Sequence, residues 1–265
     1  MKKLKLILSF LVMAAIAISV TSCNKVEMES EEDSPNSFRV RMTDAPGDYA
    51  ALDVEILKVE AYLQDKGWIT LNNNAQYTNV LDLTNGNETT LAYQGAVQAG
   101  VYTQLRLTFG NDTRLMLYGS SGSGMVEANL VWGSSNEVVI EIDEKVSSNS
   151  SADILLDFQV AQSIIGQGQQ YLINPVITEI EDESTGIQGE VEGAANAMIV
   201  LTDGQNEFST FIDAQGKFLI RGITDGTYDM VVSELDSGDS LTEEITVDGV
   251  VVTQGEITQV GTISF

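Results

Sequence analysis

Histidine is absent from the 265 residues of this chain, and cysteine occurs only once, at Cys23. Catalysis by a Ser-His-Asp or Cys-His arrangement is therefore excluded, and a zinc site, which normally uses Cys and His ligands, is not expected. Only three prolines are present, against 23 glycines. This balance favours many short strands joined by tight turns.

Positive charge is also scarce, because 13 lysines and arginines stand against 39 acidic residues and leave a net charge of −26 at pH 7. The negative electrostatic field of such a chain repels phosphate backbones and anionic lipid surfaces, so nucleic-acid binding is not expected. Hydrophobic residues make up 43% of the chain, which is typical of a globular protein and not of a disordered one.

The N-terminus has the layout of a secretory signal peptide. Lys2, Lys3 and Lys5 precede a mostly apolar segment that ends at Val20 and is too interrupted by polar residues for a membrane-spanning helix. The Val-Thr-Ser run before Cys23 resembles a bacterial lipobox. The resemblance implies cleavage before Cys23, lipidation of its sulfur and acylation of its new amine. An ordinary cleaved signal with a chance cysteine is the alternative.

Residues 23–36 predict a flexible tether, because five of them are acidic and few are apolar. An acid-rich stretch behind a lipidated cysteine resembles the surface-export signal of Bacteroidetes lipoproteins, and a plain solvated linker is the alternative. We therefore expect a lipid anchor in the bacterial cell envelope, at the outer membrane, with the protein facing either the surface or the periplasm. Loss of residues 1–22 would leave 10 basic and 39 acidic residues, a net charge of −29.

The rest of the sequence predicts a mainly β fold with two antiparallel β-sandwiches. Alternating apolar and polar residues over 38–43 and 101–109 are typical of strands with one buried face. Between 52 and 63 the alternation changes phase at Ile56 and Leu57, which predicts a β-bulge there.

Two further elements can be assigned from the pattern. Residues 158–165 place apolar side chains on one helical face and are the best candidate for a helix. Residues 171–180 predict the last strand of the first sandwich, with Pro175 marking an edge position or a bulge.

Four segments follow from these patterns: a signal peptide (1–22), a lipidated acidic tether (23–36), a first β-sandwich (37–183) and a second β-sandwich (184–265). The boundary is the polar run at 181–184. Beyond it, Asp-Gly and Gln-Gly pairs punctuate seven short strands in about 80 residues, the size of a small sandwich.

Five pieces of the first sandwich point to a known family. They are Met-Thr-Asp-Ala-Pro-Gly-Asp-Tyr at 42–49, Gly-Trp at 67–68, Leu-Asp-Leu-Thr-Asn-Gly at 81–86, Ala-Gly-Val-Tyr-Thr-Gln-Leu-Arg-Leu at 99–107 and Leu-Asp-Phe at 156–158. Through them, residues 37–180 resemble the domain-of-unknown-function family 4382 of bacterial lipoproteins. The resemblance implies no established activity.

The second sandwich has its own set of pieces. They are Gly-Glu-Val at 189–191, Asp-Ala-Gln-Gly-Lys-Phe at 213–218, Arg-Gly-Ile-Thr-Asp-Gly-Thr-Tyr at 221–228 and Val-Gly-Thr-Ile-Ser-Phe at 260–265. With these, residues 186–265 are similar to the carboxypeptidase regulatory-like, transthyretin-like sandwich. That resemblance implies an accessory module, a type sometimes grouped with starch-binding folds.

Candidate site residues are few. Asp44 and Asp48 flank a tight turn and Asp53 follows closely, so these three are candidate calcium ligands, although aspartate at turns is also expected for structural reasons. No other cofactor is expected. Trp132, beside a Gly-Ser-Ser-Asn loop, is the candidate for a glycan-stacking platform, with core packing as the alternative. Trp68 is expected in the core.

Three classes of function remain open. The first is a non-catalytic cell-envelope lipoprotein that binds carbohydrate or a surface protein. The second is a structural, adhesin-like assembly component that uses exposed strand edges. The third is a glycoside hydrolase that uses a pair of carboxylates. This class is the most remote, because a chain with 39 acidic residues contains pairs of carboxylates by chance. The sequence predicts a protein that is not an enzyme.

Overall fold

The computed structural model describes residues 35–45, 47, 49–119, 124–235 and 241–265. The predicted signal peptide, the lipidation site Cys23 and nearly all of the tether lie outside the described residues. Within these ranges, no helix is long and apolar enough to cross a membrane.

Strands of the first half surround one hydrophobic core, whose residues run from Phe38 to Ile177. A four-stranded sheet has the order β14 (Ile177–Ile180), β11 (Ala152–Gln159), β1 (Phe38–Ala45), β5 (Thr89–Gln94). A larger sheet has the order β10 (Glu137–Val146), β6 (Gly100–Phe109), β2 (Ala51–Leu63), β7 (Arg114–Tyr118), β8 (Met125–Glu127), with β3 (Gly67–Asn72) and β4 (Gln76–Asn79) also paired to β2. A small sheet contains β12 (Ile164–Gln167), β13 (Gln170–Ile173) and β9 (Leu130–Trp132).

The second half forms its own hydrophobic core, from Ile187 to Ile263. One sheet has the order β18 (Lys217–Arg221), β15 (Gly186–Glu192), β21 (Ile257–Ser264). The other has the order β17 (Glu207–Phe211), β16 (Ala197–Thr202), β19 (Gly226–Leu235), β20 (Leu241–Val252). The mainly β class and the seven strands expected here are confirmed. Pairing is mostly antiparallel, but β1 with β11, β9 with β13 and β15 with β21 are parallel.

The predicted β-bulge in β2 is confirmed. Pairing of β2 with β6 shifts register between Ile56 and Lys58, so that Leu57 is the extra residue. Leu57 is 38% exposed, whereas Ile56 and Val59 on either side are buried. One inserted residue therefore moves the inward face from even to odd positions, and both halves of a 13-residue strand keep their apolar side chains in the core.

Two local predictions were wrong. The expected helix over 158–165 is a single turn, Val160–Ser163, here called α1, because β11 continues to Gln159 through its pairing with β1. The expected strand over 171–180 is two strands, β13 and β14, which belong to different sheets and are separated at Pro175. In both places, pairing between strands distant in sequence overrides the local pattern.

Four charged side chains join the two halves, and we call them the ionic clasp: Arg41 on β1, Glu88, Glu183 and Arg221 on β18. Arg41 contacts Glu88 at 2.6 Å and Glu183 at 2.5 Å, and Arg221 contacts Glu88 at 3.0 Å and Glu183 at 3.9 Å. Each carboxylate therefore bridges one arginine from each half. All four side chains are one-third exposed or less, which limits screening of the clasp by solvent.

Beside the clasp, the loop at Asn85 and Gly86 contacts the second half directly. The Asn85 backbone N–H donates to Thr210 Oγ1 at 3.0 Å, and its side-chain amide donates to the Lys217 carbonyl at 3.0 Å. Gly86 has φ of +73°, and a Cβ added there would lie 2.7 Å from Leu219 Cδ2. The absence of a side chain at Gly86 thus allows the two halves to approach closely.

We expect Gly86→Val to destabilise the protein more than Gly204→Val. Both positions have positive φ, +73° and +85°, so both valines carry backbone strain, but nothing lies within 4 Å of a Cβ at Gly204. The additional overpacking against Leu219 should cost about 1–3 kcal/mol of unfolding free energy, measurable by urea denaturation of the two variants. Equal losses would mean that the close approach at Gly86 contributes nothing.

Candidate functional site

A cleft of about 560 Å³ lies between the two sandwiches. Its first wall is formed by the end of β1, by β11, β14, α1 and the loop around Gly86. Its second wall is formed by β17, β18 and the loop that follows β18. The ionic clasp lies at this junction, since Glu88 and Arg221 line the cleft. The contacts that hold the halves together therefore also fix the shape of the cleft.

Asp44 lines this cleft and departs from the pattern of its strand. Phe38, Val40 and Met42 form the buried row of β1, and Asp44 occupies the next position of that row with 6% of its surface exposed. Neither carboxylate oxygen has a hydrogen-bond partner. The backbone N–H of Val160 is close enough to act on the carboxylate but does not meet hydrogen-bond geometry.

The environment of Asp44 strongly disfavours its charge. Burial is the largest cause that raises the pKa of Asp44 well above its usual value, and the negative charge of Asp157 on β11 raises it further. The Val160 amide opposes this with a smaller lowering effect. A buried carboxyl without a donor is costly, so a donor or a positive charge at this place would be strongly favoured.

A second perturbed acid, Glu179, lies on β14. Burial, followed by the charges of Glu144 and Glu181, raises the pKa of Glu179 to about 7. Nearby Asp182 behaves in the opposite way, because hydrogen bonds from Ser184 and Thr185 lower its pKa. The cleft thus contains acids in contrasting states of protonation near neutral pH.

Two of the candidate calcium ligands, Asp44 and Asp53, lie at different places. Asp44 lines the cleft, whereas Asp53 on β2 lies in a separate hollow of about 260 Å³ together with Tyr77, Asp112 and Arg114. Asp48 is outside the described residues. Within the described ranges, no three acidic, histidine or cysteine side chains are grouped as metal ligands would be.

Trp132 lies away from the cleft, on β9. It is half-buried against the first core, and its ring centroid is 5.8 Å from that of Phe109. This contact favours the packing alternative over the stacking platform. Trp68 was expected in the core, and this was wrong: it is half-buried at the start of β3, where the Arg106 guanidinium lies 4.3 Å from the ring centroid.

The residues that sequence reasoning missed are Asp157 and Glu179. Asp157 is the middle residue of the Leu-Asp-Phe piece, and Asp44, on which its charge acts, is 113 positions away in the sequence. One signal was available: residues 38, 40, 42 and 44 alternate as a buried row, and an acid occupies the fourth position. A local rule broken in this way often marks a functional position.

A family model described as "Domain of unknown function (DUF4382)" matches residues 36–175. The chain belongs to this family. The matched range covers the first sandwich almost entirely, including Asp44 and Asp157, and ends before β14. No curated protein sequence matches this DUF4382 protein.

Several solved structures are similar to this DUF4382 protein at low identity. A candidate adhesin from Bacteroides ovatus ATCC 8483 is 10% identical, with 87% of this chain and 92% of that chain covered and a TM-score of 0.22. Shaft pilin spaA from Lactobacillus rhamnosus GG (D295N mutant) is 11% identical, with 86% and 98% covered and a TM-score of 0.20. The major pilin protein T-13 from Streptococcus pyogenes is 10% identical, with 87% and 97% covered and a TM-score of 0.21. Similarities at this level of identity and TM-score do not support a conclusion about function.

We expect Asp44→Asn to flatten the decline of stability with pH. Because the pKa of Asp44 is raised on folding, the folded protein keeps a proton that the unfolded chain releases. The free energy of unfolding therefore falls as pH rises from about 4 through the folded-state pKa. Asparagine cannot ionise, so the variant should lose less stability than wild type in urea denaturation between about pH 4 and pH 8.

The matched control for this measurement is Asp53→Asn, which removes one acid from the separate hollow. The free energy of unfolding of this control should fall with pH as steeply as that of wild type. If the free energy of unfolding of Asp44→Asn fell as steeply with pH as that of wild type, the raised pKa of the buried Asp44 carboxyl would be contradicted.

Proposed function

We propose that this DUF4382 protein is a non-catalytic lipoprotein of the bacterial cell envelope that binds a carbohydrate or protein ligand in the cleft between its sandwiches. The observation that carries the proposal is the cleft, whose volume of about 560 Å³ is typical of ligand sites at the junction of two units. Apolar side chains such as Phe208 and Leu219 line it together with converging polar groups, the combination that ligand sites use.

The anchor in this proposal is the lipidated Cys23, followed by the acidic tether over 24–36. Two or more acyl chains on one residue give stable membrane attachment. The second sandwich, residues 184–265, acts as a carboxypeptidase regulatory-like accessory module and supplies one wall of the cleft. Its two sheets of three and four strands support that assignment.

A glycoside hydrolase is less well supported than a binding protein. Glu179, with a pKa of about 7, has the protonation state that a general acid needs. A second carboxylate would have to act as nucleophile or base. The nearby Asp182 is engaged instead, because it accepts hydrogen bonds from the side chains of Ser184 and Thr185, both at 2.5 Å.

An adhesin-like assembly role is the second candidate, and exposed sheet edges favour it. β8 and β20 each lie at the edge of a sheet. Met125 and Val126 on β8 are 62% and 52% exposed, and Leu241 and Val251 on β20 are both 58% exposed. Edges with exposed apolar side chains are surfaces to which a partner strand can add.

Filling the cleft should abolish ligand binding. Ala161 on α1 is exposed and lines the cleft, so Ala161→Trp places a large ring in the binding space. Thr246→Trp, at an exposed position of β20 outside the cleft, is the matched control. On immobilised panels of glycans and envelope proteins, wild type and the control should bind the same ligand, and Ala161→Trp should not. Binding that survives Ala161→Trp, or no binding by any variant, contradicts the cleft as the site.

Cys23→Ala tests the anchor. The full chain expressed with its own N-terminus should partition into the detergent phase in a phase-separation assay, because acyl chains carry it there. The Cys23→Ala variant should move to the aqueous phase, while a Ser22→Ala variant, which keeps the cysteine, should stay with wild type. A Cys23→Ala protein that remains in the detergent phase would refute lipidation at this residue.

A further inference from the structure

The dipeptide Asn-Gly occurs once in the 265 residues, at Asn85 and Gly86. Both residues have positive φ, +59° and +73°, and the Asn87 N–H donates to the Thr84 carbonyl at 3.1 Å. These features define a type I′ turn, for which Asn-Gly is a preferred sequence. The same pair is chemically labile, because glycine has no Cβ to shield its backbone nitrogen from the side chain of the preceding asparagine.

The labile amide of this turn is also a contact between the two sandwiches. Asn85 Nδ2 donates to the Lys217 carbonyl at 3.0 Å, and the Asn85 backbone N–H donates to Thr210 Oγ1 at 3.0 Å. Thr210 is 2% exposed, so the turn contacts a buried position of the second sandwich. Asn85 and Gly86 also line the cleft. A chemical change of the Asn85 amide therefore acts on a contact that shapes the cleft.

Deamidation of this pair starts at the Gly86 backbone nitrogen. That nitrogen bonds to Asn85 Cγ and gives up its proton, while the side-chain nitrogen leaves as ammonia, so that a cyclic imide joins the two residues. Water then opens the imide at either of its two carbonyls and leaves aspartate or isoaspartate at position 85. One water is consumed and one ammonia is released, and the reaction needs no oxidant or reductant.

The product reverses the polarity of the contact. An amide nitrogen donates hydrogen bonds, whereas a carboxylate only accepts them, so the Lys217 carbonyl would face a negative oxygen in place of its donor. Glu88 of the ionic clasp lies three positions further along the chain and carries the same charge as the product. Isoaspartate would in addition lengthen the main chain within the turn. Both products therefore favour separation of the sandwiches at this turn.

The intact contact opposes the reaction. To form the imide, the Asn85 side chain must turn its Cγ towards the Gly86 nitrogen, and this movement breaks the hydrogen bond to the Lys217 carbonyl. Local opening of the contact must therefore come before deamidation. Openings of this kind occur in folded proteins with free energies well below that of global unfolding.

We propose that Asn85 and Gly86 form a self-modification site that acts as a one-way switch on the junction of the two sandwiches. Opening of the turn contact permits deamidation, and the resulting carboxylate prevents the contact from forming again. The switch needs no enzyme and no bound ligand. It therefore goes beyond the proposed function and does not depend on the ligand of the cleft.

The first test ages the full chain at mildly alkaline pH and follows deamidation at each asparagine by peptide mapping with mass spectrometry. Thr210→Val removes the hydroxyl that accepts the Asn85 N–H and keeps the shape of the side chain. Thr246→Val, at an exposed position of β20, is the matched control. Asn85 should deamidate in wild type and control at one rate, and roughly threefold to tenfold faster in Thr210→Val, the effect of one lost hydrogen bond on the opening equilibrium.

The second test uses hydrogen exchange of the residue-85 backbone N–H and does not need the Thr210 variant. Asn85→Asp supplies one product directly, and Asn149→Asp, in an exposed turn of the first sandwich, adds the same charge elsewhere. Exchange should become about threefold to tenfold faster in Asn85→Asp and stay at the wild-type rate in Asn149→Asp. Ageing should accelerate exchange in wild type but not in Asn85→Gly, which cannot deamidate and accepts positive φ.

Three results overturn the proposal. An unmodified Asn85 in aged wild type and aged Thr210→Val would mean that the turn is not a modification site. Equal deamidation rates in Thr210→Val and Thr246→Val would mean that the contact does not restrain the reaction. Equal exchange in Asn85→Asp and Asn149→Asp would mean that the product leaves the junction closed. Ligand binding in the cleft is tested separately by Ala161→Trp, so failure of the switch and failure of the proposed function are distinguishable.

Discussion

The central strand β1 is the constraint on which the rest of the structure depends. It pairs with β5 on one side and with β11 on the other, and its inward row of Phe38, Val40 and Met42 lies in the first core. Arg41 points the opposite way, into the ionic clasp. One strand thus joins sheet, core and second sandwich, so any change of its register would disturb all three at once.

Features fixed by neighbouring residues could be predicted from the sequence. The bulge at Leu57 follows from a change of phase in the apolar pattern within one strand. The apolar side chains of both halves of β2 can face the core only if one extra residue is inserted between them. The seven strands of the second sandwich follow from turn signals at short intervals. Helix and strand patterns near residue 160 were ambiguous, however, and pairing with β1, more than 110 positions away, decided them.

The candidate site was predictable only in part, for the same reason. The sequence marks Asp44 by its position at a turn, but Asp53, the expected neighbour, lies in a separate hollow, and the charge that acts on Asp44 is that of Asp157. Parallel pairing of β1 with β11 sets Asp44 opposite Phe158 and Asp157 opposite Thr43, so the two acids lie at the same end of the strand pair, and this pairing leaves no mark in either local sequence. The cleft depends on a further long-range event, the contact of Gly86 with Leu219 across the two halves.

The edge strand β20 has a consequence for how copies of the protein meet one another. Along its exposed length lie Glu243, Glu244 and Asp248, between the exposed apolar residues at its two ends. A second copy that approached edge to edge would bring the same carboxylates into register, and their repulsion opposes continuous pairing of sheets. Edge-to-edge pairing of β20 between two copies of the chain is therefore disfavoured, whereas a partner strand without carboxylates at these positions meets no such repulsion.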